Sequence, residues 1–311
     1  MVGEIKLVDI GLDEAKIKET PTDYIYVDFK NIRPFLKPRE KYCGKRDFGS
    51  ALLFAGSYGM AGAAVLAAKA CLRSGVGLTT VHSASALMPI LQSVVPEAMF
   101  EPDRNDKFIT DMTVHHKHQA IGIGPGIGTG EKTTAALEMI LKTIKQPMVL
   151  DADALNCMAM HPELLSLIPS QSILTPHIGE FDRLFGEHFS NEDRLKKAID
   201  MAKFYNIIIV LKGSHTMVIR PTGKVYFNST GNPGMATAGA GDVLTGVITS
   251  FLAQGFRPEH AATIGVFIHG LAGDIAEKTT GEYGLLASDI ANACGKAIDM
   301  VMRGERIETE I

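Results

Sequence analysis

Six short apolar runs, each closed by a glycine or a polar residue, limit what this chain can fold into. They span residues 50–55, 78–82, 120–123, 148–151, 172–175 and 207–211. Runs this short and this continuously apolar suit strands buried on both faces. Between them lie stretches with helical spacing at 132–145, 154–160 and 193–205, and a small-residue helix follows the first run to about Ser74. Strands alternating with helices predict a mostly parallel sheet covered on both sides, an α/β fold of three layers. Residues 216–219 and 224–227 flank Pro221-Thr222-Gly223 and predict a hairpin, whereas 242–254, 258–277 and 287–302 read as helices. Ahead of the first run, residues 1–30 read as an appendage with a short strand at 5–10 and a charged patch at 13–19. Residues 31–46, rich in proline and charge, read as a linker.

Composition excludes several classes. With 46% hydrophobic and 21% charged residues in 311, the chain is neither disordered nor a disulfide-stapled miniprotein. A formal charge of −4 gives no basic footprint for nucleic acid, and the one basic run, 37–46, reads as a solvated face. Cys43, Cys71, Cys157 and Cys294 show neither a CxxC pair nor metal-ligand spacing, which predicts idle thiols in a reducing compartment. The first residues lack the apolar core of a signal peptide. The most apolar stretch, 51–72, is interrupted by Ser57, Tyr58 and Lys69 and is too broken to cross a bilayer. A cytoplasmic protein is expected, with no membrane partner.

The chemically unusual residues follow the apolar runs, and ligands of open α/β sheets collect at the carboxyl ends of strands. The strongest motif is GNPGMATAGAGDVLTG at 231–246. Gly239, Ala240 and Gly241 let the backbone approach a ligand, and the helix that starts there directs free N–H groups at an anion. Asp242 can take the proton from a hydroxyl that attacks phosphorus. Because that transfer is loose, a carboxylate of ordinary low pKa suffices. A capping role for Asp242 is the alternative, though it does not require Gly-Ala-Gly in front. The GIGPGIG turn (122–128) misses GxGxxG in every frame and is as well explained by a tight turn as by a ligand wall. GSYGMAGAA (56–64) is a second glycine-rich strand-to-helix turn. TPHIGE (175–180) brings His177 and Glu180 to a strand end. In DADALN (151–156), Asp151 and Asp153 can bind Mg²⁺ or water, or cap a helix. Lys212, in KGSHT (212–216), ends an apolar strand where a phosphate would sit.

Taken in order over residues 45–303, these motifs resemble the ADP- or ATP-dependent NAD(P)H-hydrate dehydratases of the ribokinase-like superfamily. GAGD alone is superfamily-wide. TPHxGE together with KGxxT and GNPGMA is specific, because vitamin kinases of the superfamily usually carry Asn in place of that His. The resemblance implies a ribokinase-like three-layer sandwich in 31–311 and a repair reaction. In it, the ring hydroxyl of the S epimer of hydrated NADH or NADPH is phosphorylated, and phosphate is then eliminated. It implies Asp242 as base, and Gly239, Ala240 and Gly241 around the transferred phosphoryl group. Lys212, Gly213, Ser214, His215 and Thr216 would lie on the adenine nucleotide, and Ala63, Gly126, His177, Asn232 and Asp242 on the hydrate. Mg²⁺ would be held through phosphates, with Glu180 reaching it by way of water. A homotetramer and a link to an NAD(P)H-hydrate epimerase are implied too. Residues 1–30 resemble only the tail of that epimerase domain, so the epimerase itself is expected to be missing from this chain. Lys45-Arg46-Asp47-Phe48-Gly49 departs from the family's Lys-Gly-x-Tyr-Gly, which weakens a role for Lys45. The competing readings are a kinase of a small vitamin alcohol and a nucleotide-binding module without turnover.

Overall fold

Ten strands join in one sheet in the computed structural model, which describes residues 11 and 13–305. In chain order they are β1 (Tyr24–Val27), β2 (Ser50–Phe54), β3 (Leu78–Ser83), β4 (Met99–Pro102) and β5 (Ala120–Ile123). There follow β6 (Val149–Leu150), β7 (Ile173–Leu174), β8 (Ile208–Leu211), β9 (Met217–Ile219) and β10 (Val225–Asn228). Across the sheet they stand β1-β10-β9-β8-β7-β6-β5-β2-β3-β4. From β8 to β4 every neighbouring pair is parallel. β9 runs antiparallel to both its neighbours, and β1 pairs in parallel with β10. The six apolar runs are β2, β3, β5, β6, β7 and β8, and β9–β10 is the predicted hairpin. β1 and β4 went unrecognised in the sequence because they form the sheet's edges, where no continuous apolar run is needed. The strand expected at 5–10 lies outside the described residues.

Helices α1 (Glu14–Glu19), α2 (Phe29–Ile32), α3 (Ala61–Arg73), α4 (Met88–Val94), α5 (Glu131–Thr143) and α6 (Ala152–Met160) come first. α7 (Ile178–Phe185), α8 (Asn191–Tyr205), α9 (Ala240–Ala253), α10 (Pro258–Gly284) and α11 (Ala287–Arg303) complete the set. The strand period of two divides the core between the sheet's faces. Ala51, Leu53, Val149, Ile208 and Val210 face the layer of α3, α9, α10 and α11. Leu52, Phe54, Leu150, Ile209 and Leu211 face that of α5 to α8. Runs with no polar alternation are therefore what a sheet covered on both faces requires.

The segment read as appendage and linker contributes to this core. β1 extends the sheet, and Val27 and Ile32 are buried in it. The basic run is in part packed rather than solvated: the Arg39 guanidinium lies 3.7 Å from the centroid of the Phe48 ring and donates to the Gly75 carbonyl. A flat, weakly hydrated guanidinium stacks in this way where a lysine would not.

Topology fixes where a ligand can enter. The chain leaves β2 towards β3 and β4, and leaves β5 in the opposite direction towards β6, β7 and β8. β2 and β5 are neighbours, so the switch point, where an open α/β sheet offers its crevice, lies at their carboxyl ends. The two glycine-rich turns meet there: Gly56 N–H donates to the Pro125 carbonyl (2.7 Å) and Ser57 Oγ to that of Gly126 (2.8 Å).

Candidate active site

The start of α9 forms one wall. Its first cap, Gly239, has φ +87°, and a Cβ there would stand 2.4 Å from Leu66 Cδ1 of α3, so both conformation and space demand glycine. No side chain caps the helix, which leaves the N–H groups of its first turn for an anion. Asp242 sits in that turn without capping it, and its role must be sought elsewhere. A Cβ on Gly241 would lie 3.3 Å from Lys212 Nζ and 3.8 Å from Asp151 Oδ2, so the helix start rests directly on these charges.

Three strand ends converge on the same point. Asp151, after β6, accepts from Lys212 Nζ at 2.9 Å and from Thr245 Oγ1 at 2.6 Å, tying β6, β8 and α9 together. Neither it nor Asp153 caps α6; Asp153 Oδ2 instead accepts from the N–H of Gly128, at 2.8 Å. Ala152, between the two, adopts φ +47° although it is not glycine, a strained turn of the kind held at functional sites. The close approach of the β5 and β6 turns also requires glycine at 124, where a Cβ would stand 1.8 Å from the Asp151 carbonyl oxygen. After β7, His177 and Glu180 close a capping box on α7: Glu180 Oε2 accepts from His177 N–H (2.8 Å), and His177 Nδ1 from Glu180 N–H (3.2 Å). The same Glu180 oxygen lies 3.7 Å from Lys212 Nζ.

The electrostatics correct one expectation. Burial lifts the Asp242 carboxyl to about 7, Asp151 pushes the same way, and Lys212 opposes them. Asp242 is thus no ordinary low-pKa carboxylate; it changes protonation near neutrality. Burial works against the charge of Lys212, but Asp151 and then Glu180 outweigh it and hold the ammonium above its usual range. Lys212 therefore points into this cluster, paired, rather than out along its turn.

The remaining predicted residues fall in four places. Ala63 and Gly126 touch, with 3.0 Å between the Ala63 Cβ and the place a Cβ on Gly126 would take. Ala63 also shares α3 with Leu66, which packs on Gly239, so the switch-point crevice and the α9 start are one surface. His177 stands half-exposed at the end of β7. Gly213, Ser214 and His215 lie exposed in the β8–β9 turn, where Thr216 Oγ1 donates to the Gly213 carbonyl at 3.1 Å and the His215 ring meets that of Asn228 at 3.3 Å. Asn232 lies against α10: its amide donates to Asp274 (3.0 Å), as does the N–H of Gly231 (2.9 Å). Thr245 and Asp274 escaped the sequence reading. Each is a polar residue in an apolar helix, and that contrast was the available signal. Among the described residues no cluster of three or more His, Cys, Asp or Glu is placed to hold a metal. The site nevertheless sets Asp151, Asp153, Glu180 and Asp242 against one lysine. Mg²⁺, which is bound through a carboxylate or two and substrate phosphates, fits such a donor set when it arrives with the nucleotide.

A parallel sheet with a glycine-started helix that carries an acid in its first turn defines the class: this is a ribokinase-like α/β protein. The chain belongs to the NAD(P)H-hydrate dehydratase family (Carb_kinase), which it matches over residues 51–296. It is 34% identical over 265 residues to the ADP-dependent (S)-NAD(P)H-hydrate dehydratase of Bacillus subtilis (strain 168), covering 85% of this chain and 94% of that protein. The crystal structure of the ADP/ATP-dependent NAD(P)H-hydrate dehydratase from Bacillus subtilis, co-crystallized with ATP/Mg²⁺, superposes with a TM-score of 0.79 at 30% identity, over 89% of this chain and 98% of that one. The bifunctional NAD(P)H-hydrate repair enzyme of Moorella thermoacetica is 34% identical over 303 residues, 93% of this chain and 57% of the relative. The chain spans a little over half the length of the bifunctional relatives it matches.

Proposed function

We propose that this chain uses ADP or ATP to dehydrate the S epimer of hydrated NADH or NADPH. Asp242 takes the proton from the ring hydroxyl as its oxygen attacks the terminal phosphorus of the nucleotide. The P–O bond to the leaving nucleotide breaks, and the first N–H groups of α9, around Gly239, Ala240 and Gly241, receive the transferred group. The ring C–O bond then breaks, phosphate departs, and a proton leaves the adjacent ring carbon to restore the dihydropyridine. Lys212 to Thr216 bind the nucleotide; Ala63, Gly126, His177 and Asn232 line the hydrate. Glu180, by way of water, would help hold Mg²⁺ arriving with the nucleotide, and the ion would supply charge neutralisation on the phosphates.

One observation carries this reading: a carboxyl with a pKa of about 7 in the first turn of an uncapped helix, beside the switch-point crevice. We also propose a homotetramer acting in the cytoplasm beside an NAD(P)H-hydrate epimerase, and a dehydratase unit that starts ahead of the expected residue 31, because β1 at Tyr24–Val27 is a strand of its sheet. No helix among the described residues is long and apolar enough to cross a membrane, and the four cysteines are free thiols. The test is to incubate hydrated NADH with protein, Mg²⁺ and ADP or ATP, and to follow the reduced-nicotinamide absorbance. Nucleotide-dependent recovery is expected. A stable phosphate ester of a vitamin alcohol, with no recovery, would identify a kinase instead.

A further inference from the structure

At the end of the sheet away from the active site, a guanidinium lines a cavity that the reaction above does not use. Gln171 and Asn206 precede β7 and β8, whereas Lys212 follows β8, so the length of β8 separates them from the catalytic cluster. β9 runs antiparallel to β8 and β10, which brings the hairpin turn at 220–224 to that far end. Gln171, Asn206, Arg220, Lys224, Tyr226 and Glu259 are among the residues around a cavity of about 450 Å³ there. That volume lies within the usual range of small-molecule sites.

Arg220, just past β9, is held without being neutralised. Its guanidinium carbon lies 3.8 Å from the centroid of the Tyr226 ring. Nη2 donates to the Glu259 carbonyl at 3.4 Å and to Thr263 Oγ1 at 3.3 Å, both long bonds to neutral acceptors. Nε is closed off from solvent and has no acceptor at all. Among the described residues no carboxylate forms an ion pair with this group; Glu259, the one acid on the cavity wall, offers it only a main-chain oxygen. Burial draws Arg220 below its ordinary range, and Tyr226 and Glu259 do not make up the difference. A guanidinium keeps its proton even so, and a cation drawn partly out of water without a counter-ion is costly.

The surroundings add charge of the same sign. Lys224, across the turn, is exposed and forms no ion pair among the described residues. Lys203 lies over the turn, where a Cβ on Gly223 would stand 3.1 Å from its Nζ. Three cations thus gather around a turn whose cavity carries one carboxylate. The wall is polar as well: Gln171 takes φ +64° without being glycine, and its amide donates to Asn206 Oδ1 at 2.7 Å.

We propose that this cavity binds a small phosphorylated molecule, with its phosphate on Arg220 and Lys224. A phosphate answers more than one positive charge and matches the donor fork of a guanidinium. It has two sources, free inorganic phosphate or a sugar phosphate whose hydroxyls meet Gln171 and Asn206. The site is separate from the one at α9, and its test needs no turnover.

That test is calorimetric titration of the full chain with inorganic phosphate and with ribose 5-phosphate. Low salt is used, with Mg²⁺ and a non-hydrolysable ATP analogue present to fill the anion site at α9. Saturable binding is expected, and added salt should weaken it. Arg220→Met should weaken it about 10- to 100-fold, the worth of a charged hydrogen-bond pair, and Lys224→Gln several-fold. Phosphate should also raise the Tm of the wild type and not that of Arg220→Met. Equal affinities assign inorganic phosphate; tighter binding of ribose 5-phosphate assigns a sugar phosphate. A wild type that takes up neither, or binding that both substitutions leave unchanged, overturns the proposal and leaves Arg220 as a tie between β9 and α10. Should Arg220→Met fail to fold, Lys224→Gln decides alone, since that side chain is exposed, and unchanged affinity refutes the site.

Discussion

Asp103 lies just past a strand end and Asp242 in the first turn of a helix that packs on the same sheet, yet their acidities move in opposite directions. Asp103, just past β4, is 3% exposed and accepts from the N–H groups of Asn105 (2.8 Å), Thr110 (2.7 Å) and Asp111 (3.0 Å) and from the Thr110 hydroxyl (2.8 Å). Burial pushes its pKa up, but these donors together outweigh burial and hold it below the carboxylate range. Asp242 receives no such donors among the described residues, so burial and the nearby Asp151 prevail and carry it to about 7. A carboxylate wrapped in donors keeps its charge and shapes a loop. One left without them can exchange a proton, which is the property a general base needs.

Exchanging each for its amide is the most direct attempt to break that contrast. Asp242→Asn should reduce turnover of the hydrate by roughly 10²–10⁴-fold, the usual worth of a general base, with nucleotide affinity retained. Asp103→Asn should leave kcat within a few-fold of wild type. Near-normal turnover by Asp242→Asn would remove it from the mechanism, whatever its acidity.

Stability should separate the same pair with opposite signs. The folded-state pKa of Asp103 is depressed, so its contribution is present above the unfolded value near ~3.9 and is lost as pH falls through the folded one. Asp103→Ala, which strands four part-buried donors, should cost about 2–3 kcal/mol at pH 7, and the deficit should shrink in acid. For Asp242 the folded pKa is raised, so the native state binds the proton more tightly than the unfolded chain. Stability then falls as pH climbs from ~3.9 to about 7 and stays reduced above. Asp242→Asn should therefore match wild type in Tm near pH 4 and exceed it at pH 8, a stability gain set against lost activity. Thermal melts across pH 4–8 read both signs; a Tm for Asp242→Asn below wild type at pH 8 would mean the carboxyl is not stored in a costly charged state.

Much of this contrast could not be read from the chain. The interior strands were legible because burial on both faces leaves continuous apolar runs, as in residues 207–211. β1 and β4 were not, since Tyr24, Tyr26 and Met99 lie largely exposed at the edges. Glycines around Asp242 announced an anion site because backbone approach leaves its mark in composition. The acidity of Asp242 left no such mark: it depends on Asp151 and Lys212, which only the sheet order brings beneath α9. α7 hid for a different reason, being eight residues long and opening on a polar cluster that resembled a loop. Asp274 showed in the chain only as a polar residue of α10; its partner Gly231, 43 residues away, left no sign.

The finest test asks whether the surroundings, rather than the position alone, set the behaviour of Asp242. If its pKa governs the nucleotide-bound enzyme that meets the hydrate, kcat/KM for the hydrate should rise with pH through an acid limb near 7 and level off above. Asp151 raises that pKa and Lys212 lowers it, so neutralising each should move the limb in opposite directions. Asp151→Asn keeps an acceptor for Thr245 while removing the negative charge, and should displace the limb to lower pH; Lys212→Met should displace it upward. Each movement should be on the order of one unit, a tenfold change in rate at fixed pH on the limb. Lys212→Met should also weaken nucleotide binding, so the profiles are taken at saturating ADP or ATP, which confines the comparison to the acid. A limb near pH 4 in all three proteins would show that Asp242 ionises as an ordinary carboxyl, and that its place at the head of α9, not its surroundings, distinguishes it.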